Sequence, residues 1–485
     1  MTIKDNGIQP ICSAYRTQFI SDNELDLLQA STLQVLAEVG IRFPTEKALR
    51  IFSDHGAHVD WETQIVKLPT DLVQAAMDTV PRYFKLGGRE PELDLQLQDG
   101  VSYWTTDGCG FEVIDFETRQ RRASTKQDVG RMARVADYLS SMAFYWPMVS
   151  AQDYGELSPL HELDATWNNS LKHIQTETLM GEPLCRYALE MGAVIAGGRE
   201  ELRRRPSFSL LLCTIAPLVQ DREGLEGAMF LAEAGIPVGF MAMPTLGTTA
   251  PATHAGALVV GDAEIISGTV LLQLINPGTP VYHSLLPAWA DPRSGAYVGY
   301  PLNSKHVFAA VEMAHHWGMP TLAGAFGTDS AEPGTWQAAA EVALHPYILG
   351  LMGAEMVTGI GLNETYTLLY PEAIILDDEL YHRARYSLQE MQIDAETMAL
   401  EAIRAVGPGG HFLREKHTRE HMPEGMVPGL AHQMDKSGGF RDPVEVAREK
   451  AAWILKNHHP QPLEQAKRVE LERILGGAEA EFGVT

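Results

Sequence analysis

The sequence predicts an α/β protein built on a (β/α)8 TIM barrel, with an N-terminal helical extension and a C-terminal helical tail. Three observations lead there. From about residue 140, short apolar runs alternate with longer helix-like segments. The runs are apolar throughout rather than at every second position, the pattern of parallel strands covered on both faces. No GxGxxG follows an early strand, which counts against an open dinucleotide-binding sheet.

The first hundred residues, 1–100, read as a helical extension packed on the barrel. In "SDNELDLLQASTLQVLAEVGI", Ser21 stands where an N-cap belongs and Glu24 follows three places on. The helical rhythm runs through Leu28, Leu33 and Leu36, and Gly40 sits at the stop. "PTEKALRIFSDHG" repeats this and stops at Gly56. "VSYWTTDGCGFEVIDFETRQRRAST" then turns aromatic and β-branched around Asp107-Gly108, one or two strands with a turn.

The barrel is assigned to 101–370. Its apolar runs are 143–149, 173–179, 208–216, 237–243, 280–286, 320–326 and 356–361, and a strand within 101–114 supplies the eighth. Ligands of such barrels bind at the C-terminal mouth, on the βα loops. "TLGTTAPAT" is one such loop, and "HAGALVVGDAEIISGTVLLQLI" is the helix after it. Gly247 and the threonines give that loop a low-bulk rim; equally, Thr248, Thr249 or Thr253 serves as N-cap, with Pro251 near the first turn. A helical segment, 371–485, closes the chain, interrupted by "VGPGGHFLREKHTREHM".

Composition removes several classes of partner. The chain carries 63 acidic and 38 basic residues, a formal net charge of -25. Such a surface repels nucleic acid and anionic lipid, so neither is expected as a partner. The apolar stretch "FSLLLCTIAPLV", 208–219, is short of the ~20 residues a bilayer requires and reads as a buried strand. No basic region followed by an apolar run opens the sequence, so no signal peptide is expected. Cys12, Cys109, Cys185 and Cys213 form no CxxC pair and read as free thiols of a reducing cytoplasm.

Several segments together resemble the trimethylamine methyltransferase superfamily. They are "MPTLGTTAPATHAGALVVGDAEIISGTVLLQLINPGTPVYHS", "FGTDSAEPGTWQAAAE" and "AVGPGGHFLREKHTREHM", with "VLAEVGIRF" and "TRQRRASTKQDVGRMARVADYL" nearer the N-terminus. The resemblance implies a TIM barrel that demethylates a methylamine or quaternary amine. It implies that the methyl goes to cob(I)alamin carried by a separate small corrinoid protein, and that no metal is bound by the chain itself. It also implies a homo-oligomer. Archetypal members carry pyrrolysine at the barrel mouth; this sequence holds only the common twenty residues and so resembles the branch without it, whose members act on glycine betaine and related quaternary amines.

The chemistry narrows the residue types. A quaternary ammonium donates no hydrogen bond; aromatic faces attract it by roughly 0.5–2 kcal/mol each. Methyl transfer to a cobalt nucleophile is an in-line displacement that asks the protein for position and dryness, with no catalytic nucleophile or base. Tyr103, Trp146, Tyr297 and Phe326 are the preferred rings, and Tyr145 and Trp146 point to opposite faces of their strand. For a betaine carboxylate His283 is the first candidate donor and Arg293, Asn303 and His173 are further ones, with Gln175 on the face of His173 at spacing two; a lone strand histidine equally serves as a satisfied core residue. Asp329 and Gln337 flank "TDSAEPGTWQ", where Asp329 is either a site acid or a helix cap. His411, His417 and His421 are the best metal cluster, without HExxH or a nearby cysteine, and a surface role is expected of them. Two rival classes remain: a Schiff-base lyase, which wants a lysine at a strand end and finds none in the strands assigned, and a non-catalytic binder of quaternary amines.

Overall fold

The computed structural model describes residues 7–108, 110–295, 297–298, 304–324, 327–425 and 429–483. Eight parallel strands carry the fold: β1 (Val101–Thr106), β2 (Phe144–Tyr145), β3 (His173–Thr176), β4 (Phe208–Cys213), β5 (Val238–Ala242), β6 (Val281–Leu285), β7 (Leu322–Gly324) and β8 (Met356–Ile360). Each lies inside an apolar run of the sequence and is shorter than it. Pro147, which has no N–H for a ladder, follows β2 closely. Strands β2 to β6 pair in sequence order. β8 pairs with β7 on one side and β1 on the other. Single parallel bridges stand between the two sheets, Trp104 with Met142 and His283 with Thr321. There Ala143 N–H donates to Trp104 O at 2.7 Å and His283 N–H to Pro320 O at 3.0 Å.

Helices fill the intervals: α1 (Asp22–Gln34), α2 (Glu46–Asp54) and α3 (Thr70–Met77) precede β1, and α4 (Lys126–Tyr138) and α5 (Ser158–Asn169) flank β2. α6 (Gly181–Ala196), α7 (Arg222–Glu233), α8 (His254–Ile275) and α9 (Ser304–His316) follow β3 to β6. α10 (Trp336–Val342) and α11 (His345–Met352) follow β7, α12 (Ala373–Leu388) follows β8, and α13 (Pro443–Asn457) and α14 (Gln465–Phe482) end the chain. The expected cap at Ser21 is present: its N–H and hydroxyl both donate to Glu24, at 3.0 and 2.6 Å. Of the three threonines before α8, Thr253 is the cap and accepts from Gly256 N–H. α10 is capped by Thr335, which leaves Asp329 in the loop.

Alternate strand residues separate into two environments. Phe144, Trp146, Leu211, Met241, Tyr282, Leu322 and Met356 meet in one inner cluster drawn from both sheets. Ile174, Leu210, Leu212, Val238, Phe240, Val281 and Leu285 pack outward against the helices. The inner cluster also takes in Phe84, Leu86, Leu95 and Leu97. These belong to a hairpin of Lys85–Leu86 and Leu95–Gln96, which corrects the all-helical reading of the first hundred residues. A three-stranded antiparallel sheet of Ile41–Arg42, His58–Asp60 and Ile65–Lys67 is a second departure. The hairpin covers the N-terminal ends of β3 and β4: Arg89 N–H donates to Leu171 O and Gly87 N–H to Pro206 O, both at 2.7 Å.

α8 is long and apolar enough to cross a membrane, yet 78% of its most apolar window is buried inside the protein. Its two acids are wholly buried. Glu264 accepts from Thr214 Oγ1 at 2.5 Å and Leu218 N–H at 2.8 Å, and burial pushes its carboxyl up to about 6. Asp262 gathers Thr32 Oγ1 at 2.6 Å, His283 Nε2 at 2.9 Å and Trp317 Nε1 at 3.0 Å. α1, β6 and the end of α9 are thereby tied to one carboxylate. Asp262→Ala leaves three donors, two of them fully buried, without their acceptor, and the expected cost is about 3–5 kcal/mol in urea unfolding. An unchanged midpoint would show that this network contributes nothing.

Candidate active site

β3 shows how the pleat builds the site. Ile174 packs outward, while His173 and Gln175 share the opposite, inner side, and Glu177 follows just past the strand end. His173 sits at the hairpin end. Its Nδ1 lies 3.0 Å from Pro206 O and 3.3 Å from Gly87 O, and its Nε2 lies 3.0 Å from Ser209 Oγ. Burial pushes its pKa down to about 4, so it stays neutral. Gln175, fully buried one step further along, accepts from Tyr282 Oη at 3.1 Å through Oε1. Its Nε2 is buried without a hydrogen-bond partner. Glu177 stands half-buried at the C-terminal end.

Neighbouring strands bring their own groups to that end. Cys213 closes β4, and burial together with the charges of Glu177, Asp107 and Asp221 pushes its thiol up to about 12. Asp107, just past β1, is 6% exposed. Trp146, just past β2, lies so close to the backbone of Gly108 that a β-carbon there would stand 1.8 Å from the indole nitrogen; only glycine fits. Met241 of β5 and Leu286 after β6 complete the apolar lining. Two carboxylates, an indole, a thiol and a thioether thus gather at the C-terminal strand ends, above a buried amide with a spare N–H. The set suits a cation that offers no hydrogen. Among the described residues its thiol, Cys213, is held away from the thiolate form by burial and by these carboxylates.

The expected site residues divide accordingly. Trp146 and Gln175 fall within this set. Tyr103 faces inward but at the other end, where its hydroxyl donates to Gln96 O of the hairpin at 3.3 Å. His283 points outward and is occupied by Asp262, so the pleat places it behind the strand rather than before a ligand. Asp329 links two loops: its Oδ1 accepts from Thr365 Oγ1 at 2.9 Å, and its N–H donates to Glu341 at 2.9 Å. Gln337 donates to Glu341 at 3.0 Å. Arg293 is paired with Asp291 at 2.8 Å on the surface. Tyr297 pairs with Ala290 in a small sheet of Thr245–Leu246, Ala288–Ala290 and Tyr297–Val298. The Tyr297 side chain, Tyr300, Asn303 and Phe326 lie outside the described residues. Asp107, Glu177 and Cys213 are not among the residues expected from sequence. The spacing of two that joins His173 to Gln175 continues to Glu177 and is the signal that finds it.

Two other features compete for attention. A cavity of about 380 Å³ lies between α10, α12 and residues 430–444. Apart from His432 its lining holds no aromatic ring, so it lacks the faces that a quaternary ammonium needs. Glu396 Oε1 lies 2.7 Å from His421 Nε2 and 3.9 Å from His417 Nε2, a surface trio that replaces the expected His411 with a carboxylate. It is the one such group among the described residues that could hold a metal ion.

The carboxylates beside Cys213 make a direct prediction. At about pH 8.5 Cys213 alkylates more slowly than exposed Cys12, and Glu177→Gln speeds Cys213 several-fold while Cys12 is unchanged. Peptide mass spectrometry after iodoacetamide reads both rates; an unaltered Cys213 rate in the variant would separate the two side chains.

Comparison with known proteins gives the family. Residues 4–483 match the family model described as trimethylamine methyltransferase (MTTB). The chain is 31% identical over 470 residues to the trimethylamine methyltransferase MttB of Desulfitobacterium hafniense, covering 96% of this chain and 94% of that one. It is 29% identical over 472 residues to a glycine betaine methyltransferase of the same species (strain Y51), covering 96% and 98%. The crystal structure of the Methanosarcina barkeri monomethylamine methyltransferase MtmB covers 92% of this chain and 96% of its own, with a TM-score of 0.50 at 11% identity, a likeness of fold alone. The chain therefore belongs to the trimethylamine methyltransferase family and is a methyltransferase.

Proposed function

We propose that this enzyme moves a methyl group from a betaine, a quaternary amine that carries a carboxylate, to a Co(I) corrinoid presented by a partner protein. The observation that carries the substrate class is the pairing of a spare buried N–H on Gln175 with the carboxylates of Asp107 and Glu177 one step nearer the strand ends. A betaine matches that polarity when its carboxylate enters first and its ammonium stays near the opening. Family membership and the named activities of the relatives support methyl transfer over mere binding.

The architecture belongs to the same reading. The eight strands close as a (β/α)8 barrel, supported by the bridges at both seams and by the shared inner cluster. Residues 1–100 form its extension, 101–370 the barrel and 371–485 the tail. A cytoplasmic setting suits the free thiols of Cys12, Cys185 and Cys213.

In the transfer, the C–N bond breaks with its electron pair left on nitrogen, and the cobalt pair makes the new bond to carbon. The corrinoid is a substrate, and the chain supplies binding, orientation and exclusion of water. Asp107 and Glu177 attract the cationic substrate, and Trp146 offers it a ring. The positive charge on nitrogen fades along the reaction, so these carboxylates favour substrate over transition state. They bind, but they do not accelerate.

Three outcomes test this. Purified protein mixed with cob(I)alamin and glycine betaine, carnitine, choline or trimethylamine gives methylcobalamin with at least one carboxylate-bearing amine; binding without methylation across the panel would sink the transferase. Glu177→Gln raises KM for the active betaine about tenfold, equivalent to about 1.4 kcal/mol, and leaves kcat undiminished. A fall in kcat would instead make Glu177 part of the chemistry. Gln175→Leu weakens binding of the betaine about 10- to 100-fold, the scale of a hydrogen bond to a charged group, and leaves choline unaffected; equal losses for both would assign Gln175 to packing.

A further inference from the structure

Between α12 and α13 the chain runs through a stretch, 389–423, that contributes nothing to any core. None of its residues is buried. Yet it is folded: Leu400–Val406 and Lys416–His421 are helices, and neither buries a side chain. Ordering it costs conformational entropy that no buried apolar surface offsets. Folded units too small for a core commonly rely on a bound metal or a disulfide. This stretch contains no cysteine.

It does contain a set of metal ligands drawn from two of its parts. Asp394 accepts from the N–H groups of Glu396 and Thr397, both at 2.9 Å, and so fixes a turn that presents Glu396. His417 and His421 stand four apart on the second helix and share a face, with ring centres 4.3 Å apart. Both turn Nε2 toward Glu396. His421 Nε2 lies 2.7 Å from its Oε1. His417 Nε2 lies 3.1 Å from its carbonyl oxygen and 3.9 Å from its Oε1. One ligand atom from each of the three residues falls within 4.8 Å of the others. Tetrahedral zinc holds nitrogen and oxygen ligands at about 2.0–2.2 Å, which sets them about 3.3–3.6 Å from one another. Small side-chain rotations close that difference. Two imidazoles with one carboxylate suit zinc; calcium and magnesium want oxygen throughout. An exposed carboxylate–imidazole pair alone stabilises little.

We propose that Glu396, His417 and His421 form a zinc site, with water as fourth ligand, that staples the turn at Asp394 to the helix Lys416–His421 and holds this coreless stretch in place. The role is structural, and it stands independently of the substrate and of the methyl acceptor.

The test uses the untagged full-length chain, stripped with EDTA and titrated with Zn2+ against a fluorescent chelator. The wild type is expected to bind one equivalent at this site. His417→Ala, His421→Ala and Glu396→Ala are each expected to weaken that binding at least about a hundredfold, more than the loss of an outer-shell partner does. Their melting in zinc-free buffer is expected to match the wild type, because none of the three side chains belongs to the core. His411→Ala, at an exposed neighbour outside the trio, is expected to leave the affinity unchanged. Zinc is further expected to slow tryptic cleavage after Arg404 and Arg414 in the wild type and not in the trio variants. No such site in the wild type, wild-type affinity in the trio variants, an equal loss in His411→Ala, or cleavage indifferent to zinc would overturn the proposal.

Discussion

Successive residues of a strand face opposite ways, and that constraint decides what every strand side chain here can do. Along β3 it aligns His173 and Gln175 from the hairpin end onward, Glu177 follows past the strand end, and each meets a different environment. His173 is sealed among carbonyls, Gln175 retains a spare donor, and Glu177 stands half-buried beside a thiol. On β6 the same rule sends Tyr282 inward, where it steadies Gln175, and His283 outward to Asp262. A shift of one residue in either strand would exchange these roles and bury a charge where an apolar side chain belongs.

The site that results is notable for what its groups have in common. Among the described residues at the strand ends, Asp107 and Glu177 are pure acceptors when ionised, and the indole of Trp146 lies beside them. The carboxylates suit a tetra-alkylated nitrogen, and the spare N–H of Gln175 beneath them suits its carboxylate. Affinity obtained this way opposes the reaction, because the charge that is held disappears as the methyl departs.

Much of this was legible in the sequence. All seven apolar runs contain a strand, because residues buried on both faces leave a continuous apolar signal, and the eighth strand lies within 101–114 as expected. The cap at Ser21 was readable because capping is local. Tyr145 and Trp146 were known to diverge, and the structure turns Tyr145 outward, its hydroxyl donating to Val129 O at 3.3 Å. The period of a strand is visible in sequence but its phase is not, so His283 looked as available as Gln175. Nor does sequence show which end of a strand a residue occupies in space, which is why Tyr103 was expected beside Trp146. The hairpin at Lys85–Gln96 escaped because its strands are two residues long and carry no periodicity.

The central claim is that a betaine sits carboxylate-first between Trp146 and Glu177, over Gln175. A crystal structure with glycine betaine bound tests it most directly. The account requires the N-methyl groups in van der Waals contact with the Trp146 indole and the carboxylate on Gln175 Nε2. Betaine lodged in the cavity between α10 and α12, or lying reversed with its carboxylate at the opening, would contradict it.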